Sequence, residues 1–480
     1  MAPTSLEEKD STIVCQDGQG LEIRATPLRV TRYVAVFEIY SPSLVLRISQ
    51  VLDNFRISVQ GRLLYLGRAL VTNVINTGSV LVCEVKLEET GLNLPALDPD
   101  SGTSPGLREQ FESFLGQWQR FYQVRPEFKD VVGDMQSFLV DLRLWTEQLE
   151  METRASPSGE RLESERQLVQ ELAGPIIGTM DSFVERFESI VATLHSDLQL
   201  VHRAYLRRQL HPLLLSSPFA YRCFHKPLGY AGDYEVVNMM LRPPYEGSTL
   251  FSQLMNVWLL DQAPVQAHRH RIDWLTRRLQ DEALRLRPHG RRGRICSLGC
   301  GPAIEVQRFL QAQPREEALE FFLFDFNEET LAYARRALDL IRNARGWAVP
   351  VQLVKRSVQQ LIKDSAGVAR HSPDDTYDFI YCAGLFDYLS DAVCRRLMSI
   401  FYERLSPGGL LLATNATDAL NQTRPFRRSM EYILDWYLIY RDGAQFRKLA
   451  PETIPPDSIS VEAEDRAVNL VMEVRKPVDA

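Results

Sequence analysis

Short apolar runs separated by turn residues fill most of the first ninety residues of the chain. The runs span 32–39, 44–48, 55–59, 68–74 and 79–87. In the last run Cys83 and Val85 share one face, while Glu84 and Lys86 fall on the other, which is typical of a half-buried strand. Closely spaced short strands of this kind predict a small N-terminal β-barrel.

The hydrophobic period changes to that of helices after a proline-containing linker at 88–106. One apolar face comprises Phe111, Phe114, Leu115, Trp118, Phe121 and Tyr122. A second stripe follows Pro175, which we place at a helix start, and comprises Ile176, Met180, Phe183, Phe187, Ile190, Leu194 and Val201. We favour an antiparallel helical pair because the stripe is short for a free coiled coil, and a dimerising coiled coil stays open.

The rest of the chain divides into an irregular segment and an α/β segment. Residues 211–247 are rich in Pro, Gly and aromatic residues, which predicts irregular structure, and helices are predicted at 248–261 and 265–286. After residue 290 strand and helix patterns alternate, which predicts a parallel sheet with helices on both faces. The predicted domains are a barrel at 1–98, a helical region with a lid-like loop at 99–246, and an α/β domain with leading helices at 247–480.

Composition and charge narrow the class of protein. The chain has 480 residues, 45% hydrophobic and 24% charged, with a net charge of −7, so nothing indicates nucleic-acid binding. The seven cysteines form no C-x-x-C pair and the histidines have no metal-ligand spacing, so we predict reduced thiols and no metal site. Without a signal segment or a membrane-spanning run, we expect a cytoplasmic protein. The basic pairs 291–292 and 335–336 are expected to be exposed.

A glycine turn in the α/β segment predicts a cofactor site. Gly299 and Gly301 follow a short apolar strand and precede a helical pattern, and Asp325 ends the next strand. Glycines in such a turn let the backbone approach a ligand, and an acidic residue about 20 or more positions later can accept the ribose hydroxyls. We expect Phe326 to cover the adenine face. The alternative for Asp325 is that it only caps the next helix.

Two later motifs extend this pattern. Residues 377–391 are a strand leaving into a loop and a helix, and 405–415 are a helix end, a Pro-Gly-Gly turn and a buried strand. With the glycine turn and Asp325, these resemble the class I S-adenosylmethionine-dependent methyltransferases over about 294–476. The resemblance implies a Rossmann-like domain that binds S-adenosylmethionine. It also implies that Asp378 is buried where the fourth strand of the domain begins.

The resemblance also assigns further cofactor contacts. Ser357 and Val358 match the adenine contact, and the loop at Cys382, Ala383 and Gly384 would pass close to the reacting methyl group. The chain departs from the family at Ser297, where an acidic residue is usual, and at Ala303, where glycine is usual. We expect Ser297 still to hydrogen-bond, although the usual carboxylate near the methionine amino group is missing.

The loop after Cys382 indicates the kind of acceptor. It lacks the Asp/Asn-Pro-Pro-aromatic motif and resembles the loop of small-molecule methyltransferases, in which Asp387 and Tyr388 would face the acceptor. With the segments 225–235 and 424–441, it is similar to a bacterial group that makes methyl 3-hydroxypalmitate. That likeness implies methylation of the carboxyl oxygen of a fatty or other organic acid.

Other features of these segments bear on the acceptor. The arginines of 424–441 are candidate carboxylate ligands. Residues 225–235 form either a lid over the cofactor or an ordinary loop. A carboxylate acceptor needs no general base, whereas a hydroxyl acceptor would need one, and Tyr230, Asp387 and Tyr388 are the candidates.

The barrel resembles PilZ domains, which bind cyclic di-GMP. Arg29 and Arg32 match the arginine stretch, but the Asn-Thr-Gly-Ser at 76–79 does not match the second motif. A structural or docking barrel is therefore favoured over one that binds a cyclic dinucleotide. The alternative for the whole chain is a non-catalytic regulator, with a degenerate methyltransferase fold controlled by the barrel.

Overall fold

The computed structural model describes residues 11–88 and 124–478 and the isolated positions 108, 112 and 115. Within those spans the gaps are 18–19, 32, 40–45, 60–61, 77–80, 154–157, 290, 313–318, 347–348, 367–375, 418–424 and 465–466. Most of the helical face predicted at 111–122 lies outside the described residues, as do Arg32 and residues 77–79 of the compared PilZ motif.

The N-terminal strands close into a barrel in the order β1-β2-β3-β6-β5-β4. They are β1 Ser11–Gln16, β2 Glu22–Val30, β3 Val34–Ile39, β4 Val51–Val59, β5 Arg62–Asn76 and β6 Leu81–Leu87. Every second residue of β6 is buried, as the alternation predicts, and the rings of Phe37, Phe55 and Tyr65 fill the interior. The barrel prediction is confirmed. The strand expected at 44–48 is wrong where residues are described, because 46–50 turn towards the rest of the protein.

A helical core follows the barrel. Its helices are α1 Pro126–Thr153, α2 Ser158–Ala192, α3 Ser196–Leu214, α4 Pro218–His225, α5 Tyr234–Leu241 and α6 Leu250–Leu260. Pro175 lies inside α2, so its prediction as a helix start was wrong. The irregular structure predicted at 211–247 was wrong over α4 and α5, whose first turns are capped by Ser217 and Asp233, and it is borne out at 226–233 and 242–247.

The α/β domain is built on a seven-stranded sheet in the order β12-β13-β11-β10-β7-β8-β9. Its strands are β7 Gly293–Leu298, β8 Leu319–Asp325, β9 Val351–Lys355, β10 Tyr377–Cys382, β11 Leu405–Ala416, β12 Ile459–Ala463 and β13 Asn469–Arg475. Neighbours from β9 to β11 are parallel, while β13 is antiparallel to both β11 and β12. Because β7 lies between β8 and β10, the strand order reverses at β7, where open α/β sheets bind ligands.

Helices cover both faces of this sheet and enclose two apolar cores. They are α7 Ala263–Leu286, α8 Ile304–Ala312, α9 Glu328–Arg345, α10 Val358–Ala366, α11 Asp391–Glu403, α12 Arg427–Leu434 and α13 Gly443–Arg447. The predicted α/β fold is therefore confirmed. The residues of α12 pack into the helical core rather than onto the sheet, so this helix joins the two regions.

Asp378 lies buried near the start of β10, as predicted. Its carboxylate accepts hydrogen bonds from Arg291 Nη1 at 2.7 Å, Arg291 Nη2 at 2.5 Å and the Arg294 backbone N–H at 2.9 Å. Burial opposes ionisation, but these donors hold the pKa of Asp378 below its ordinary value. The prediction that Arg291 merely faces solvent was therefore incomplete, because its half-exposed side chain pairs with the Asp378 carboxylate.

Asp435 joins the barrel, the helical core and the segment after β11. This residue has a left-handed backbone conformation at the end of α12 and a buried carboxylate. Arg207 of α3 binds both carboxylate oxygens, and Lys86 of β6 approaches to 3.2 Å. Although burial opposes ionisation, the charges of Arg207 and Lys86 hold the pKa of Asp435 well below its ordinary value. One carboxylate thus fixes three parts of the chain that are far apart in sequence.

Two features are absent from the part of the chain that the structure describes. No described helix is both long enough and apolar enough to cross a membrane. Within the same residues, no three His, Cys, Asp or Glu side chains are grouped as metal ligands would be.

Replacing Asp435 by Asn should lower the free energy of unfolding by about 3–5 kcal/mol, because two cations lose a buried partner. The stability from a depressed carboxyl pKa is fully present above its unfolded value, 3.8, and is lost only as the pH falls through the lower folded value. The difference between wild type and variant should therefore be constant from pH 7 to 5 in urea unfolding. Asp457→Asn, at an exposed position, is the control and should cost little; equal losses in both variants would contradict the assignment.

Candidate functional site

The glycine turn connects β7 to α8 at the carboxyl edge of the sheet. Gly299 and Gly301 have φ angles of 70° and 54°, a region that L-residues with a side chain rarely adopt. The backbone N–H groups of Gly299 and Cys300 both donate to the Phe324 carbonyl, at 2.9 and 3.0 Å. These bonds hold the turn against the end of β8, with its remaining backbone facing the cavity described below.

Asp325 ends β8 beside this turn and is buried. Its Oδ2 accepts a hydrogen bond from the Gly301 N–H at 3.1 Å, and its Oδ1 accepts one from the Asn327 N–H at 2.9 Å. Burial raises the pKa of Asp325, and the two N–H donors and the charge of Arg47 counteract this. The side chain that caps α9 is that of Asn327, which accepts from the Thr330 N–H. Capping of α9 therefore does not explain why a buried carboxylate stands at position 325.

One continuous cavity runs from this edge towards the helical core. The predicted site residues that line it are Tyr230, Ser297, Gly299, Gly301, Asp325, Phe326, Val358, Ala383, Gly384, Asp387 and Tyr388. Ser357 lines a smaller adjoining recess, which it shares with Phe326, Val358 and Tyr230. Cys382 is fully buried in the core beneath the loop and does not line the main cavity.

Glu305 was not predicted, although it places a carboxylate in the cavity wall. It lies in the first turn of α8 and accepts a hydrogen bond from the Tyr381 hydroxyl at 2.7 Å. The Tyr381 hydroxyl also interacts with the side chain of Ser297, the position where the acidic residue is missing. Burial raises the pKa of Glu305, and the Tyr381 hydroxyl counteracts this. The available signal was the position of Glu305 four residues after Gly301, where the pattern predicted only a helix.

Tyr230 lies at the Asp325 end of the cavity. Its ring is 4.9 Å from that of Phe326, and its hydroxyl is 3.3 Å from Thr330 Oγ1. Burial raises the pKa of Tyr230 above its ordinary value, so the phenol is neutral at physiological pH. The segment 225–235 thus forms part of the cavity wall, as a lid would.

Asp387 and Tyr388 lie together on the loop after β10. Asp387 Oδ1 accepts a hydrogen bond from the Ala416 N–H at 2.6 Å, and burial raises its pKa while the charge of Arg271 opposes this. The Tyr388 hydroxyl accepts a hydrogen bond from Trp436 Nε1 at 2.9 Å. Burial also raises the pKa of Tyr388, so it is a neutral hydroxyl whose own proton can be donated.

Arg47 reaches the cavity from the barrel and was missed entirely. It lies between β3 and β4, and its guanidinium carbon is 4.1 Å from the centre of the Phe326 ring. The turn is held by Ser49, whose hydroxyl bonds to backbone groups of Asp435 and Tyr437, and by the Val51 N–H, which donates to the Gly229 carbonyl. No sequence signal linked this turn to a site nearly 300 residues away.

The segment 424–441 contributes apolar wall rather than charge. Phe426, Met430, Leu434, Trp436 and Leu438 line the cavity. The expectation that the arginines here bind a carboxylate in the cavity is not met by the described ones. Arg441 binds Asp391 and backbone carbonyls, Arg427 pairs with Glu431, and Arg428 pairs with Glu188.

Comparison with known proteins identifies the class of this domain. Residues 268–449 match the model of a family described as a methyltransferase domain. The matched segment includes the glycine turn, Asp325 and the loop at Gly384. The sheet that carries the cavity is therefore a Rossmann-like methyltransferase domain, and the match agrees with S-adenosylmethionine as the predicted cofactor. No curated protein sequence matched the chain.

Several solved structures are similar to the chain. A possible exported protein from Bordetella parapertussis has 20% identity and a TM-score of 0.41, over 67% of this chain and 99% of its own. Magnesium protoporphyrin IX methyltransferase from Synechocystis PCC 6803, with bound S-adenosylhomocysteine, has 13% identity and a TM-score of 0.31, over 45% and 85%. The N-methyltransferase NodS from Bradyrhizobium japonicum WM9 has 14% identity and a TM-score of 0.29, over 51% and 98%.

Replacing Gly232 by Ala should destabilise the cavity wall more than Gly346→Ala does. Both glycines have positive φ, 71° and 63°, so each variant incurs about 1–2 kcal/mol of backbone strain. At Gly232 the new Cβ would also lie 3.0 Å from the Trp436 ring and 3.2 Å from the Tyr388 hydroxyl, whereas at Gly346 it meets nothing within 4 Å. Urea unfolding should show a further loss of about 1–3 kcal/mol for Gly232→Ala. Equal losses would mean that the wall is not tightly packed.

Proposed function

We propose that this protein is an S-adenosylmethionine-dependent methyltransferase that methylates a carboxyl oxygen of a small apolar acid. The observation that carries the proposal is the Asp325 carboxylate bonded across the glycine turn to Gly301, within a domain that matches a methyltransferase family. Its position at the end of β8 suits acceptance of ribose hydroxyls. Phe326, Ser357 and Val358, which border the neighbouring recess, would hold the adenine.

The other end of the cofactor would meet the set Ser297, Tyr381 and Glu305. An amino group needs an anionic or carbonyl acceptor, and Glu305 supplies a carboxylate in a cavity wall where the family places one at position 297. Tyr381 orients that carboxylate by donating to it. The missing acid at Ser297 is thus replaced from the next helix, and the departure at this position does not argue against cofactor binding.

The cofactor supplies a methyl group already activated on a sulfonium, so the protein chiefly aligns the acceptor and excludes water. The residues near the acceptor end suit an acceptor that is already ionised. Tyr388 is a neutral phenol, and one oxygen of Asp387 is bonded to the Ala416 N–H. A carboxylate brings its own negative oxygen, and the apolar side chains contributed by 426–438 suit a hydrocarbon tail.

A non-catalytic regulator is the second candidate, and the position of Arg47 favours it. A barrel residue stacked on Phe326 couples the barrel to the end of the cavity where adenine is proposed to bind. Arg29, offered as part of a dinucleotide site, is exposed and lies 3.8 Å from Glu84. Transfer of a labelled methyl group to any straight-chain acid would decide for the enzyme. Cofactor binding without transfer to acids, alcohols or amines would decide for the regulator.

Two variants should affect different ends of the cofactor. Asp325→Ala should weaken the binding of both S-adenosylhomocysteine and 5′-methylthioadenosine by about tenfold or more, because both ligands carry the ribose. Glu305→Gln should weaken binding of S-adenosylhomocysteine only, because methylthioadenosine lacks the α-amino group of the aminoacyl end. Calorimetry with both ligands measures this, and Glu462→Gln, on the exposed face of β12, is the control. The proposal fails if wild type binds neither ligand, or if Asp325→Ala binds both as tightly as wild type does.

Asp387→Asn should retain methyl transfer to a straight-chain acid within a few-fold. Asn keeps an oxygen for the Ala416 N–H, and a carboxylate acceptor needs no proton removed. The rate should therefore stay flat above the pKa of the free acid in both proteins. A loss of about a hundredfold or more would show that Asp387 takes a direct part in the transfer, and it would contradict a reaction that needs no general base.

A further inference from the structure

Helix α7 presents two polar side chains to an otherwise largely apolar stretch of the cavity. His268 and Arg271 lie one turn apart and line the cavity together with Val265, Ile272 and Leu275. Residues that are 3 or 4 positions apart lie on one face of a helix, so His268 and Arg271 share a face with these three apolar residues. The first turns of α7 are fixed to the helical core, because Arg269 Nε donates to the Met240 carbonyl at 2.6 Å.

The contact between these two residues fixes the protonation of the histidine. Arg271 Nη2 lies 2.6 Å from His268 Nδ1. A guanidinium only donates hydrogen bonds, so Nδ1 is the acceptor and the ring proton is on Nε2. Burial, with the charges of Arg271 and Arg269, lowers the pKa of His268 well below its ordinary value, so the ring is neutral. His268 Nε2 is buried and has no hydrogen-bond partner in the structure.

Arg271 is a partly buried cation without a carboxylate partner. Among the described residues, its guanidinium has no ion pair within 4.0 Å, and its only hydrogen bond is to His268. Asp387 and Tyr388 are its strongest electrostatic neighbours, followed by Glu305. It also packs on the loop that passes the proposed methyl position, because a Cβ on Gly384 would lie 3.0 Å from Arg271 Nη2. An unpaired charge that is partly removed from water costs free energy, and a ligand of opposite charge would offset that cost.

We propose that Arg271 and His268 bind the carboxylate of the methyl acceptor, with Arg271 as the ionic partner and His268 Nε2–H as a second donor. This assignment rests on the proposed function and goes beyond it, because it names the residues that select an acid over an alcohol or an amine. His268 lies one turn nearer than Arg271 to Val265, which packs in the helical core, and the strongest electrostatic neighbours of Arg271 are Asp387 and Tyr388. The pair therefore serves the acceptor end of the cavity, whereas Glu305 serves the cofactor end.

The alternative source of a carboxylate is the aminoacyl end of the cofactor, and the test separates the two. Binding of decanoate and of decanol to the full-length protein saturated with S-adenosylhomocysteine would be measured by calorimetry, for wild type, Arg271→Gln, Arg271→Lys and His268→Phe. Arg277→Gln is the matched control, because Arg277 lies on the same helix with an exposed side chain.

Wild type should bind decanoate at least about tenfold more tightly than decanol, because hydrogen bonds to a charged group are stronger than those between neutral groups. Arg271→Gln should remove that preference, Arg271→Lys should keep part of it, and His268→Phe should weaken decanoate about 2- to 10-fold. Arg277→Gln should match wild type, and binding of S-adenosylhomocysteine should be unchanged throughout.

Three outcomes would overturn the assignment. Equal binding of decanoate and decanol by wild type would show that no carboxylate site exists at the acceptor end. Decanoate binding that survives both Arg271→Gln and His268→Phe would place the site elsewhere. A loss of S-adenosylhomocysteine binding in Arg271→Gln, with methylthioadenosine binding intact, would assign the arginine to the cofactor carboxylate. None of these three outcomes contradicts methyltransferase activity. That activity would be contradicted by a different result, namely that wild type binds no cofactor.

Discussion

The buried carboxylate of Asp435 is the contact on which the arrangement of the three regions depends. It accepts charge-assisted hydrogen bonds from Arg207 of the helical core and attracts Lys86 of the barrel. Around it the Ser49 hydroxyl and the Lys226 ammonium bond to neighbouring backbone carbonyls of the same segment. Because these groups are buried, the cost of breaking one pair is large, and the barrel is held in one position against the cavity. That position places Arg47 on Phe326.

The cavity is consequently a product of all three regions rather than of the methyltransferase domain alone. The sheet contributes the glycine turn and Asp325, the helical core contributes the wall around Tyr230, and the segment after β11 contributes Trp436. Polar and apolar side chains of the cavity wall come from different regions as well. Polar groups cluster at the edge of the sheet, and apolar groups come mainly from the helices. This division suits a polar cofactor beside a largely apolar acceptor with one charged end.

The sequence predicted the parts of the fold that have a local period. The sheet, the glycine turn, Asp325 and the loop at Gly384 follow from strand and turn patterns within short windows, and the alternation in β6 predicted the barrel. Glu305 was overlooked because an acidic residue in a first helical turn has an ordinary local explanation. The predicted roles of Tyr230, Asp387 and Tyr388 remain predictions, although the structure brings all three to one cavity.

Contacts between segments that are far apart in sequence leave no local pattern from which they could be predicted. No residue close in sequence to Arg47 or His268 indicates a cavity, because the cavity forms only where residues of other elements pack against them. The helices within 211–247 were missed because Pro218 and the glycines around Tyr230 suggested irregular structure, whereas they occur at a helix start and in the turn between two helices. Pro175 suggested a helix start, whereas it lies at an exposed position inside α2.

The separation of 349 residues between Lys86 and Asp435 has a consequence for biosynthesis. A ribosome adds about 5–20 residues per second, so the barrel emerges on the order of 20–70 s before the carboxylate that will receive its lysine. During that interval Ser49 lacks its partners at Asp435 and Tyr437, and the cavity lacks the apolar wall that residues 426–438 contribute. We therefore expect docking of the barrel to be completed late in the synthesis of the chain, and chaperones that shield apolar surfaces have their longest opportunity to act before it.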